Sequence, residues 1–212
     1  MTQEVETKIT VLKKGKVERL RKPLSAVVAV GLIFLMVFGR PGWSGMWPME
    51  VMRLVGFLLV FAGVLGRLLC TLYIGGRKNR ELYQTGIYSL CRNPLYFFSF
   101  LGLTGICFIS QSLILTVGAC SVFLVLYHRV ISREEVRLVE MFPSEFELYR
   151  RAVPRFWPRG FVRLPRQVLS VDTGIFLRSM TEVLWFLVAI VLIEGLVYLR
   201  TIGVIPVLFE WY

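Results

Sequence analysis

The sequence predicts an all-α, polytopic membrane protein with about five transmembrane helices, one pair of them a tight hairpin, and an amphipathic cytoplasmic segment. Three observations carry this prediction. First, of 212 residues 56% are hydrophobic and only 18% charged, whereas an ordinary soluble domain is about a quarter charged. Second, apolar runs of helix length recur along the chain. Third, the net charge of +11 is concentrated beside those runs, where cations orient helices and meet anionic lipid. That placement argues against nucleic acid as the partner. No Ser/Gly-rich linker or repeat divides the chain, so residues 1–212 are expected to form a single domain. Cys70, Cys91, Cys107 and Cys120 are scattered in or near apolar segments. They lack the close pairing of a zinc knuckle or disulfide framework and read as packing residues, with no metal site expected.

Residues 1–22 form a polar N-terminal segment ending in Lys13, Lys14, Lys16, Arg19, Arg21 and Lys22. This basic run precedes the first apolar span, Leu24–Phe38, and is expected to stay cytoplasmic. Arg40-Pro41 ends that span without a small-x-small cleavage site, which argues against a signal peptide. A second span follows from about Val51 to Ile74, and Trp43 and Trp47 between the two suit an outer interfacial belt. Arg77, Lys78, Arg80 and Arg92 return residues 75–93 to the cytoplasm. Pro94–Ile109 and Leu113–Val130 are joined only by Ser110-Gln111-Ser112, which reads as a helical hairpin. A separate helix is then expected from Ser132 to about Phe142, with Ser132 as its cap and Glu134 and Glu135 in its first turn, where the macrodipole favours carboxylates. Residues 131–182 carry nine arginines against seven acidic residues, a cytoplasmic stretch with one or two amphipathic helices. The last span, Val183–Leu199, completes five crossings with the N-terminus inside.

The hairpin brings its two ends together, so Asn93–Tyr96 and Glu134–Glu135 are expected to line one pocket at the cytoplasmic interface. Fixed charges beside a bilayer are costly unless they meet each other, water or a polar ligand. His128 and Glu194 are the other polar residues of note. The histidine reads more readily as an interfacial group than as a general base, and the carboxylate marks either a polar partner or access to water. Gly56, Gly63, Gly66, Gly102 and Gly105 read as helix-packing notches.

At Gly86-x-Tyr88, Arg92-Asn-Pro-x-Tyr96, Glu134-Glu135, Phe142-x-x-x-Phe146-x-x-Tyr149 and Val153-Pro154, the chain resembles the isoprenylcysteine carboxyl methyltransferase and phospholipid methyltransferase family. These are integral membrane enzymes that use S-adenosylmethionine. The resemblance covers residues 73–158. It implies that the cofactor is held by Arg80, Glu81, Leu82 and Tyr83, then Tyr88, then Asn93, Pro94, Leu95 and Tyr96, then Glu134. Asn93 stands where the family has histidine, and keeps hydrogen bonding but cannot titrate near neutrality. Arg80 also replaces a common histidine, and Pro143 a frequent glycine.

The residue chemistry suits such a donor. Its methyl group is already activated, so the protein must chiefly align the reactants and exclude water. Glu134 suits the donor's ammonium, while Asn93, Tyr96 or an arginine suits its carboxylate. Arg92 and Glu135 are assigned catalytic or orienting roles. Arg129, like Arg92, has a guanidinium fork matched to an anionic acceptor. The acceptor is expected to be lipid-like and drawn from the bilayer, a carboxylate on a prenylated or otherwise lipidated molecule being favoured. A phospholipid amine, a thiol or a phosphate ester is the alternative, as is a non-catalytic lipid-binding or scaffold protein that keeps the fold.

Overall fold

The computed structural model describes residues 38–43, 45–74, 82–160 and 172–211. The basic run, the first span apart from Phe38, residues 75–81 and residues 161–171 lie outside the described residues. In chain order the elements are β1 (Gly39–Pro41), α1 (Trp47–Ile74), a 3-10 turn (Ile87–Ser89), α2 (Pro94–Ile109), α3 (Leu113–Met141), α4 (Pro143–Ala152), α5 (Thr173–Thr201) and β2 (Phe209–Trp211). Among these, α1, α3 and α5 are long and apolar enough to cross a membrane, and α2 is an apolar but shorter helix. The protein is a polytopic helical membrane protein.

Helix boundaries follow local chemistry. Pro94 occupies the first turn of α2, where its missing N–H costs nothing. Ser112 accepts from Leu115 N at 3.3 Å and caps α3, while Gln111, at φ +54°, reverses the chain between the two helices. The expected hairpin is therefore present. Asp172 caps α5 by accepting from Ile175 N at 3.0 Å, so this helix begins well before the expected Val183. Similarly, α1 begins at Trp47 rather than Val51, placing one tryptophan of the expected belt inside a helix.

One expectation is overturned. No helix starts at Ser132, because α3 runs unbroken from Leu113 to Met141. The Ser132 hydroxyl donates back to His128 O at 2.8 Å, the mid-helix behaviour of serine rather than its capping behaviour. Glu134 and Glu135 consequently lie well past the middle of a long helix, and first-turn macrodipole stabilisation does not explain them.

The glycines act as notches. A Cβ on Gly63 would meet Phe98 O and Gly102 N at 2.8 Å, and one on Gly56 would meet Gly105 O at 2.7 Å. The backbones of α1 and α2 thus approach more closely than side chains allow, as small residues permit in membrane helices. Val60, Ile109 and Ile193 form a buried apolar cluster where α1, α2 and α5 meet.

Polar ties hold α5 against α1. Arg53 makes a two-point contact with Glu194, Nη2–Oε2 2.5 Å and Nε–Oε1 3.2 Å. Arg67 pairs with Glu182 at 2.9 Å and also bonds the Ser99 hydroxyl of α2. The Thr71 and Ser179 hydroxyls meet at 2.8 Å. Of the two readings of Glu194, a polar partner is the one observed. A feature absent from the expectations is the parallel pairing of β1 with β2, Gly39 opposite Phe209, reinforced by Arg200 Nη1 donating to Gly39 O at 2.6 Å.

Candidate functional site

A cavity of about 470 Å³ opens where the 3-10 turn, the start of α2, the C-terminal half of α3 and α4 converge. Its size lies within the range of small-molecule sites, about 300–1,000 Å³. Leu82, Tyr83, Tyr88, Arg92, Asn93, Pro94, Leu95, Tyr96 and Glu134 all line it. Eight of the ten residues expected to hold a cofactor are thereby brought together, and the other two, Arg80 and Glu81, lie outside the described residues.

The hairpin explains the convergence. Because α2 and α3 run antiparallel, Tyr96 in the first turn of α2 faces Glu134 toward the end of α3, and its hydroxyl donates to Oε2 at 2.9 Å. Tyr83 and Tyr88 close another wall, edge to face with ring centroids 6.0 Å apart. The Tyr83 hydroxyl is buried and has no hydrogen-bond partner among the described residues. Burial pushes the Tyr88 hydroxyl well above the usual tyrosine range, with Cys70 and Tyr149 adding to the rise, so it stays protonated. The Cys91 thiol, fully buried beside the site, is pushed up to about 12 by the same loss of solvent.

Arg92 and Glu135 sit together at the back of this cavity. Arg92 Nη2 lies 3.1 Å from Glu135 Oε1, with only 8% of the arginine side chain and 16% of the glutamate exposed. Glu135 does not line the cavity. Its second oxygen lies 3.1 Å from Arg155 Nε, so one carboxylate is shared by two guanidinium groups. Neither contact has the alignment of a hydrogen bond, and charge holds the trio. Burial pulls the Arg92 pKa below its usual value, while Glu135 opposes that shift.

Residues 149–159 clamp the Leu90–Asn93 segment. Arg92 N donates to Pro154 O at 2.9 Å and Arg159 N to Leu90 O at 3.0 Å. The Asn93 amide donates to Arg155 O at 3.0 Å, and the Tyr149 hydroxyl to Tyr88 O at 2.7 Å. Asn93 thus faces the cavity while its amide nitrogen is engaged in holding the clamp. Arg155 also donates to the Ser132 hydroxyl at 2.6 Å and lies 3.3 Å from His128 Nδ1.

Two candidates read from the sequence fall elsewhere. Arg129 is exposed and does not line the cavity; it lies on α3 four residues before Arg133, which does. His128 is likewise outside the lining and next to the Arg155 guanidinium, in keeping with the interfacial reading over the general-base one. Sequence reasoning placed Arg133 beside Glu134 and Glu135 at the membrane surface but gave it no role in the site, and it missed Arg155 and Arg137. Arg137 could have been found from its spacing to Glu134, since residues three apart share a helix face.

A helical membrane fold with a mixed-charge cavity at the mouth of a hairpin defines a class, and comparison with known proteins agrees. A family model described as phospholipid methyltransferase matches residues 51–145, which include most of α1, the hairpin and most of the cavity lining. The chain belongs to this family of membrane methyltransferases. It is 35% identical over 179 residues to the cobalt-zinc-cadmium resistance protein CzcN of Cupriavidus metallidurans, an alignment covering 84% of this chain and 82% of that protein. It is 38% identical over 161 residues to the nickel-cobalt-cadmium resistance protein NccN of Alcaligenes xylosoxydans xylosoxydans, covering 76% of this chain and 75% of that one. No solved structure matches it significantly.

Proposed function

We propose that this protein transfers a methyl group from S-adenosylmethionine to a lipid-like acceptor that reaches the cavity from the bilayer. The observation that carries the reading is the joint lining of one cavity by Tyr83, Tyr88, Asn93–Tyr96 and Glu134. These residues fit the donor. Glu134 is an anionic partner for an ammonium group, the tyrosine rings are faces for a purine, and the buried Tyr83 hydroxyl has hydrogen-bonding capacity to spare. When bound, S-adenosylmethionine supplies a methyl carbon whose bond to sulfur breaks, the electron pair going to sulfur, as an acceptor lone pair closes on that carbon.

The protein's own contribution is alignment and exclusion of water. Tyr96 fixes the Glu134 carboxylate, and the clamp over Leu90–Asn93 holds the cavity wall in register. Arg92 lines the cavity while its guanidinium is held in place by Glu135 and Arg150 O. A lipid-borne carboxylate is the favoured acceptor, with the site on the cytoplasmic side. The relatives are named for resistance to cobalt, zinc, cadmium and nickel. A comparable role for this chain would operate through a modified membrane component.

Titration calorimetry of S-adenosylmethionine against the detergent-purified protein tests the reading. Saturable binding is expected, followed by incorporation of labelled methyl into extracted membrane lipid, identified by mass spectrometry. A protein that neither binds the donor nor labels any membrane component would be a scaffold that keeps the fold, and the proposal would fall.

A further inference from the structure

Arg133 and Arg137 stand one turn apart on α3 and both line the cavity. Neither has an ion-pair or hydrogen-bond partner among the described residues, in contrast to Arg92 and Arg155, which share Glu135. Two cations at this spacing repel each other, and both side chains are exposed. Charge among the described residues points the same way. At or behind the cavity, four guanidinium groups, Arg92, Arg133, Arg137 and Arg155, accompany two carboxylates, Glu134 and Glu135, a surplus of positive charge. The proposed donor, with a sulfonium and an ammonium against one carboxylate, increases that surplus. A second ligand carrying negative charge is what restores balance.

The lining next to the pair is apolar. Val130 and Met141 lie on the same face of α3, one turn on either side of the two arginines. Resting on the methyltransferase reading, we propose that Arg133 and Arg137 form an oxyanion subsite for the acceptor. The ligand it takes is an amphiphile with a phosphate or carboxylate head, held by the two guanidinium forks, and an apolar tail running along Val130 and Met141.

The experiment is calorimetry on the full-length protein in an uncharged maltoside detergent, with octyl phosphate, octanoate and inorganic phosphate as probes and S-adenosylmethionine titrated separately. Octyl phosphate or octanoate is expected to bind, and the Arg133→Gln/Arg137→Gln variant to lose at least tenfold in that affinity while donor affinity changes less than threefold. Arg133→Lys/Arg137→Lys should keep most of the binding. The control Arg151→Gln/Arg178→Gln removes the same charge from exposed positions outside the cavity and should leave it unchanged. Equal loss in that control would reduce the effect to net charge and overturn the subsite. Inorganic phosphate binding as tightly as octyl phosphate would overturn the membrane-borne acceptor in favour of a free anion. Competition between octyl phosphate and the donor, with parallel loss of both in the glutamine variant, would give the pair to the donor's carboxylate and overturn the proposal. Both arginines are exposed; if the double variant nevertheless loses its thermal transition, the two single variants replace it, each expected to lose at least threefold. Absence of donor binding to the wild type would sink the methyltransferase reading alone, because the amphiphile titration is read independently.

Discussion

Glu134 is the residue on which the proposed donor site turns, and the unbroken α3 sharpens its test. Glutamine at this position keeps an oxygen to accept from the Tyr96 hydroxyl but loses the charge that an ammonium group requires. Under the proposed function, Glu134→Gln should weaken donor binding by about 1.5–3 kcal/mol, at little cost in thermal stability; intact affinity in titration calorimetry would take Glu134 out of the site. Arg92 gives a second test. Lysine preserves its positive charge but cannot reach both Glu135 Oε1 and Arg150 O, which the guanidinium contacts through separate nitrogens. Arg92→Lys should insert normally and lose at least about tenfold in turnover, roughly 1.4 kcal/mol, whereas full activity would reduce Arg92 to an orienting charge. The short hairpin made the meeting of Asn93–Tyr96 with Glu134 legible, and the family resemblance pointed to Leu82, Tyr83 and Tyr88. Arg155 was not, because its link to Glu135 and Asn93 comes from a strap that folds back from well beyond the hairpin, and no local pattern encodes that return.

At the scale of elements, sequence located the helices better than their ends. Ser132 followed by two glutamates has the composition of a helix start, yet the chain there was already helical and the hydroxyl simply turned back on His128. Conversely, Asp172 was a true cap hidden in a polar stretch. The glycine notches of α1 and α2 were legible as a pattern, and their consequence is measurable. Gly63→Ala would press a methyl group against Phe98 O and Gly102 N. Overpacking of this kind costs about 1–3 kcal/mol, so the thermal midpoint in detergent should fall clearly. Gly118→Ala, where a Cβ meets nothing within 4 Å, should leave it unchanged. Equal midpoints for the two variants would show that α1 and α2 do not depend on close backbone approach.

At the scale of the whole molecule, the polar strap and the clamp lie at the end of the hairpin opposite Ser110–Ser112. The basic segments at 77–92 and 133–178 favour the cytoplasm for that end. On a cysteine-free background, Gln84→Cys and Ser144→Cys should therefore resist an impermeant thiol reagent in intact cells and react after permeabilisation, while Thr201→Cys reacts without it. Labelling at position 84 from outside would invert the molecule and move the cavity with it. Composition and the alternation of basic and apolar segments made the membrane class legible. The ion pairs that dock α5 on α1 were not, because sequence shows Arg53, Arg67 and Glu194 as isolated charges in apolar spans and Glu182 in a cytoplasmic stretch, and says nothing of which meets which.

The short parallel pairing of β1 with β2 bears on the order of assembly. Gly39 lies before the first helix described, yet its partner Phe209 follows the last, and the Arg200 side chain that bonds its carbonyl comes from that helix's final turn. During synthesis β1 therefore waits, its strand edge unmatched, until residue 209 has been made. The pairing is a closing step in chain order, and a nascent protein halted after α4 would have its hairpin and most of its cavity but not this clasp.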